Sequence, residues 1–314
     1  MVKKISSTRD WIEKYLSIVQ NKELLTLLKK SETIQESGPW SFLKLAFLWC
    51  FAQTYTNIIG YASRYKNICY VDLFSGCGMS SFEDYGRKTN FLLGSPVMMA
   101  TAPFKNPFKK CFFFEKDHEN FVSLSKRVEI LKNNNKLTCT EYKIFEGDCN
   151  ENVDELIKIL KKLPDAHFLL FVDPYSTEIK WSTMEKLLSL NYPAFDMIFN
   201  FQPFGINRKS CYEDTLPSFF GEAGYQKYLG NLELLESYYI EKLRKFKMAK
   251  TTKIIKIESG GSGGFYYDLI YATRKEFPGW INAIEHIKSM IESTTGHEIK
   301  IIADPSLPRL DKIS

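Results

Sequence analysis

The chain has 314 residues, 44% of them hydrophobic and 25% charged, with a formal net charge of +5. That length suits one large α/β domain with additions or two small ones, and a composition able to bury a substantial core excludes a disordered chain. The modest excess of Lys and Arg over Asp and Glu, 42 to 37, permits a nucleic-acid partner without arguing for one.

In chain order, the first stretch, MVKKISSTRDWIEKYL, has two lysines but no apolar core of a signal peptide, and no later run is apolar and long enough to span a membrane. The expectation is a cytoplasmic protein without a membrane partner. Residues 8–30 and 40–64 read as helices, the second with an apolar face through Phe42, Leu45, Ala46, Leu48, Trp49 and Tyr55. The pattern then changes to short β-branched or aromatic runs at 68–74, 111–115, 142–146, 167–172, 195–201, 252–258 and 265–273. Helical stretches at 117–132, 151–162, 182–190 and 224–248 separate most of them. Strand alternating with helix predicts a mainly parallel sheet covered on both faces, entered by an N-terminal helical cap over residues 1–65. Only Gly260 to Gly264 divide the last two runs, which is hairpin spacing, so the sheet is expected to end with an antiparallel strand. Residues 66–314 thus form the α/β part, closed by that hairpin and a helix.

The seven cysteines contain no C-x-x-C pair, which argues against a zinc or iron–sulfur site. Several lie in strand-like runs such as NICYVDLF and KKCFFFE, as small buried hydrophobes of a reducing compartment. His118, His167, His286 and His297 are scattered without metal spacing, and no metal is expected.

Ligands of open α/β sheets gather at the carboxyl ends of the strands. After the first strand, Asp72, Phe74, Ser75, Gly76 and Gly78 form D-x-F-x-G-x-G. The glycines let backbone N–H groups approach a ligand, and the acid can orient the loop or bind a cationic ligand end; a plain tight turn is the competing reading. A side chain at Gly78 is expected to fill the space the ligand needs. The second run ends in Glu115, placed either to hold ribose hydroxyls or to favour a helix N-terminus. The third ends in FEGDCNEN, where Asp148, followed by Cys149, can accept an adenine amino hydrogen, or where Asp148 or Asn150 caps a helix beginning near Val153. The fourth ends in Asp173-Pro174-Tyr175, an acceptor, a stiff turn and a ring. A glycine loop and three acids at four successive strand ends describe a nucleoside site. A dinucleotide site fits less well, because its phosphates need a helix N-terminus directly after the glycines, whereas the next helix start is Ser95-Pro96, read as an N-cap and an N1 proline.

This order resembles the class I S-adenosylmethionine (SAM)-dependent methyltransferases, which implies a Rossmann-like fold, SAM as cofactor, and cofactor contacts at the glycine loop, Glu115 and Asp148. A narrower resemblance covers most of the chain: WSFLKLAFLWCFAQTY, YVDLFSGCG, LLGSPVMMA, FFFEKDHENFVSL, FEGDCNENVDELI, LLFVDPYSTEIKW, FDMIFNF and YDLIYATRKEFPGW look, in order, like the three-Cys-motif partner (TcmP) family. It implies a methyltransferase-like protein working with a three-cysteine-motif protein encoded nearby. The chain departs from that pattern at Ser176, where glycine is expected after the aromatic residue, and at Cys77, where proline is usual. DLFSGCG also resembles the first motif of cytosine carbon-5 methyltransferases, but the Pro-Cys loop those enzymes need is replaced by Asp173-Pro174-Tyr175.

In the amino-methyltransferases such a turn accepts hydrogen bonds from a planar amino group while its ring stacks on the base, so Asp173, Pro174 and Tyr175 are the expected catalytic residues. Asn200, Gln202 and Arg208 in NFQPFGINR are candidate substrate contacts, with an ordinary polar loop as the alternative. The seven basic residues between Lys242 and Lys256, without an acid, either follow a phosphate backbone or form a solvated helix face. Two functions remain open: a methyltransferase acting on an amino or amide nitrogen in nucleic acid, and a binding or scaffold protein of the same fold that binds SAM but has lost catalysis.

Overall fold

The structure, a computed structural model, describes residues 8–28, 33–38, 40–62, 65–83, 89–190, 194–202, 206, 215–258, 266–274, 278–294 and 299. Helices α1 (Thr8–Val19) and α2 (Lys22–Leu28) precede a two-residue strand, β1 (Gln35–Glu36), and a long helix, α3 (Ser41–Tyr61). Strand β2 (Asn67–Asp72) leads into a hairpin, β3 (Met79–Glu83) and β4 (Thr89–Leu93), and a short helix, α4 (Ser95–Thr101). Strand and helix then alternate through β5 (Lys110–Glu115), α5 (His118–Asn133), β6 (Glu141–Glu146), α6 (Cys149–Lys161), β7 (Ala166–Val172), α7 (Trp181–Leu188) and β8 (Ala194–Phe201). The chain continues through α8 (Leu216–Phe220), α9 (Leu232–Arg244), β9 (Thr251–Glu258), β10 (Tyr266–Thr273) and α10 (Pro278–Glu292).

Seven strands make one sheet in the order β6-β5-β2-β7-β8-β10-β9. β7 and β8 are buried at every position, as strands covered on both faces must be. On one face α1–α5 and α10 share a core cluster with Tyr70, Phe113 and Phe171, while α6–α9 pack on the other face around Val71, Phe112 and Leu170. The chain runs outward from β2 to β5 and β6, then returns to β7 on the other side of β2. Connections leave the carboxyl ends of β2 and β7 in opposite directions, which opens a crevice there. The last strand is antiparallel, as its hairpin spacing implies, but β10 is inserted between β8 and β9 instead of forming the edge. The Gly260–Gly264 turn lies outside the described residues.

Local chemistry adjusts several expected boundaries. The first helix is two, because the Asn21 side chain accepts the Leu24 N–H at 3.0 Å and starts a new one. The stretch 224–248 also divides: Gly230 takes φ +91, and Asn231 caps α9 by accepting the Leu234 N–H. The hairpin β3–β4, with β1 alongside β3, was not anticipated. The basic run does not track one face. Lys242 is buried, with Glu222 at 2.9 Å and its ammonium 4.2 Å from the Trp181 ring centroid, while Arg244 pairs with Glu241 and Lys253 with Glu285. Cys50, Cys69, Cys77, Cys111, Cys139 and Cys149 are buried free thiols. Among the described residues no helix is long and apolar enough to cross a membrane, and no cluster of His, Cys, Asp and Glu is suited to a metal ion.

A buried carboxylate on β10 makes stability depend on pH. Asp268 on β10 is fully buried, and neither of its oxygens has a hydrogen-bond partner among the described residues. Burial pushes its carboxyl up to about 7, with Glu236 and Glu292 adding to the rise and Lys256 opposing it. A carboxyl raised above its unfolded value is fully compatible with folding while protonated, and costs stability as pH climbs from about 4 through the folded value. Asp268→Asn removes the titration. The melting midpoint of that variant relative to wild type should therefore move upward by a few degrees between pH 5 and pH 8; an offset that does not change with pH would refute the assignment.

Candidate active-site cleft

The carboxyl ends of β2, β5, β6, β7 and β8 open into a cleft of about 1260 Å³, whose outer wall is residues 35–38 and the first turn of α3. The glycine loop forms its floor. Asp72 beneath it is fully buried: Oδ1 accepts the Phe74 N–H at 3.2 Å, and Oδ2 accepts the hydroxyls of Tyr70 at 3.0 Å and Ser95 at 2.6 Å. Burial pushes this carboxyl up to about 7 against the Ser95 bond, the largest opposing effect, and the nearby Asp173 charge adds to the rise. Of its two expected roles, Asp72 performs the loop-orienting one. Ser95 is accordingly not a helix cap; Gly94 holds that position and Ser95 spends its hydroxyl on Asp72.

Two glycines are required here for different reasons. Gly94 passes so close to the loop that a Cβ would stand 2.8 Å from the Gly78 carbonyl carbon. Gly76 takes φ +60, and a Cβ there would collide with the Gln35 side chain over the cleft floor. Gly78, at φ +84, contradicts the expectation stated for it. Its Cβ would meet Leu124 and Val97 at 3.0 Å, inside the core, so a side chain there disrupts packing and not the ligand space. Beneath the loop the buried Arg127 guanidinium donates to the carbonyls of Cys77 and Thr33, tying the loop to the segment that leads into β1.

Glu115 ends β5 at the cleft wall. Burial raises its carboxyl, opposed by the N–H groups of Asp117 and Gly76 and by the Asn120 side chain, with Asp117 N–H donating at 2.8 Å. It thereby braces the glycine loop while lining the cleft. Asp148 caps α6, which begins at Cys149 and not near Val153; its Oδ1 accepts the Asn150 N–H at 2.8 Å. Its Oδ2 stands 3.8 Å from Lys116 Nζ, and both Asp148 and the buried Cys149 line the cleft. The two readings of Asp148 are therefore compatible. Asn150 is structural as well: its side chain donates to the Glu178 carbonyl and accepts from Lys180 N and Thr183 Oγ1, holding the loop after β7 against α6.

At the tip of β7, Asp173 Oδ1 accepts from Asn200 Nδ2 at 2.7 Å and Oδ2 pairs with Lys44 Nζ at 2.5 Å. Gln202 Nε2 donates to the Pro174 carbonyl at 3.0 Å. Tyr175 is 77% exposed, and its backbone N–H donates to the Glu178 carboxylate. Asn200 and Gln202 thus join the Asp173 turn into one network, while Arg208 lies outside the described residues. Lys44 was missed from sequence, although a single lysine among the apolar residues of positions 42–52 is a visible signal. Ser176 takes φ +64 with its hydroxyl buried and without a partner among the described residues, so it occupies the left-handed conformation for which glycine is expected.

The strand order, reversing at β2 and carrying an antiparallel β10 between β8 and β9, defines a Rossmann-like class I methyltransferase fold. No protein-family model and no curated protein matches the sequence. Among solved structures, protein LPL1258 from Legionella pneumophila aligns over 78% of this chain and 92% of its own, at 13% identity and TM-score 0.46. An O-methyltransferase from Bacillus cereus, in complex with SAH, aligns over 87% and 93%, at 12% identity and TM-score 0.40. Trm1 from Pyrococcus horikoshii, with S-adenosyl-L-methionine, aligns over 77% of this chain and 58% of its own, at 10% identity and TM-score 0.41.

Ser176→Gly should raise unfolding free energy in urea by about 1 kcal/mol, since relief of the left-handed strain and of an unpartnered hydroxyl outweighs the extra backbone freedom of glycine. Ser176→Val should lower it. A destabilised Ser176→Gly would show that the conformation is not strained.

Proposed function

We propose that the protein is a SAM-dependent methyltransferase of the TcmP-like kind, acting on an amino or amide nitrogen carried by nucleic acid and working with a three-cysteine-motif partner. The observation that carries this reading is the convergence of four successive strand ends, those of β2, β5, β6 and β7, on one cleft. The charge of that cleft suits a cation: Glu36, Glu115, Asp117, Asp148, Asp173 and Glu178 line it against Lys44 and Lys116. A pyrophosphate would meet repulsion there, whereas a sulfonium and an α-ammonium would not. Backbone groups from Ser75 to Gly78 would hold the amino-acid end, Glu115 the ribose hydroxyls, and Asp148, beside Cys149, the adenine amino group. Bound there, SAM supplies an electrophilic methyl group. Asp173 and the Pro174 carbonyl would accept the hydrogens of the nitrogen to be methylated and fix its lone pair, and the exposed Tyr175 ring offers a face on which a base can stack. The resemblance of the sequence pieces to the TcmP family is what supports the partner assignment.

A second reading, a SAM-binding module without catalysis, is favoured by one feature: the oxygens meant for the substrate already serve Lys44, Asn200 and Gln202.

Saturating SAM or its demethylated product, at about a hundred times its dissociation constant, should stabilise the folded protein by roughly 2.7 kcal/mol and raise its melting midpoint. A shift with NAD and none with either methyl-cycle ligand would sink the cofactor assignment. Asp148→Asn keeps the helix cap and should weaken SAM binding, with the rate partly recovered at high SAM. Asp173→Ala should leave SAM affinity nearly intact and reduce transfer of labelled methyl into nucleic acid by orders of magnitude. Equal incorporation by wild type and Asp173→Ala would refute the catalytic role. SAM binding without incorporation into any nucleic-acid or protein fraction, with the partner present, would leave the binding module as the better account.

A further inference from the structure

From Phe42 to Ala52 every residue of α3 except Lys44 is buried and apolar. A lysine in such a helix face is tolerated only if its ammonium reaches water or a carboxylate. Here it reaches Asp173: Nζ lies 2.5 Å from Oδ2, and the two side chains are 17% and 16% exposed. The helix therefore delivers a cation across the cleft to the tip of β7. Beside the pair, Asn200 lines the cleft with its Oδ1 buried and without a partner among the described residues, while its Nδ2 is committed to the other oxygen of Asp173. A carboxylate next to an unsatisfied buried acceptor is the complement of a group carrying positive charge and several N–H donors, and an ammonium has three.

We propose that the Asp173–Asn200 end of the cleft is a subsite for a primary amino or ammonium group, and that Lys44 is its built-in occupant, which an incoming amine must displace. The subsite's identity as the place of the methyl acceptor rests on the methyltransferase reading, in which the nitrogen must be in its neutral, lone-pair-bearing form when the methyl is transferred; its affinity for amines does not. Charge-assisted hydrogen bonds of this kind are about twice as strong as neutral ones, so Lys44 keeps out weakly binding molecules and yields to one whose remaining contacts offset the loss. The device also keeps Asp173 from standing uncompensated near the buried Asp72, whose carboxyl already feels its charge.

The test uses an amine probe and no cofactor, so its failure is separable from failure of SAM binding. Lys44→Ala removes three carbons and the ammonium, and n-propylammonium replaces them. The melting midpoint of Lys44→Ala should rise saturably with n-propylammonium at concentrations about ten-fold below any that affect wild type, and 1-propanol should have no such effect. The response should vanish in Lys44→Ala/Asp173→Asn. An equal response in wild type and Lys44→Ala, or one that survives Asp173→Asn, overturns the proposal. If Lys44→Ala does not fold, acetylation of Lys44 by acetic anhydride, followed by peptide mass, decides the matter in the intact chain. Asp173→Asn should then speed modification of Lys44 several-fold, and an unchanged rate overturns the proposal.

Discussion

The cleft depends on one buried carboxylate. Asp72 is the last residue of β2, where the strand order reverses, and its two oxygens gather a backbone N–H from the loop that follows, a hydroxyl from its own strand and a hydroxyl from the first turn of α4. The sheet, the glycine loop and the helix behind it are thus held at one point, in an interior where a hydrogen bond to a carboxylate is strong and an unmade one costly. Burial opposes its charge and the donors favour it. Serine at position 95 can supply one of those donors only because Gly94 lets the chain pass against Gly78.

Around that point the ligand space is built from two sources. The sheet supplies the inner wall through the ends of its strands, whose spacing is set by backbone ladders and is therefore rigid. The outer wall comes from the N-terminal region: residues 35–38, fastened by the β1–β3 pairing, and the first turn of α3. Arg127 links the two by donating to a carbonyl of each. The helical cap is for this reason part of the site, and its apolar residues share one core cluster with the strands.

The legible parts of this arrangement are those with a local signature. Each strand is an apolar or aromatic run, each loop residue of interest directly follows one, and the order of the runs gives the order of the site. The unanticipated parts depend on partners far away in sequence. β3 and β4 contain Ser80, Ser81 and Asn90 where a strand search looks for β-branched and aromatic residues, and β1, which pairs with β3, is two residues long. Ser95 matches an N-cap by type and position, but a buried acid from 23 residues earlier outcompetes the helix for its hydroxyl. Asp148 shows the converse, since a carboxylate with two oxygens can cap a helix with one and face a cleft with the other.

Charge connects the two ends of the cleft. Along its lining carboxylates outnumber lysines, and desolvation makes each uncompensated negative charge more costly than it would be at the surface. Such a site is most stable when cations enter it. Lys44 already serves that need at Asp173, reaching across from a helix that otherwise has no reason to carry a charge at that position. At the end of β6 Lys116 stands 3.8 Å from Asp148 but is mostly exposed, so water screens it and the local excess of negative charge persists. The two ends thus ask for different things. The lining at the ends of β5 and β6 keeps an excess of carboxylates, whereas the β7 end holds a cation of its own in Lys44.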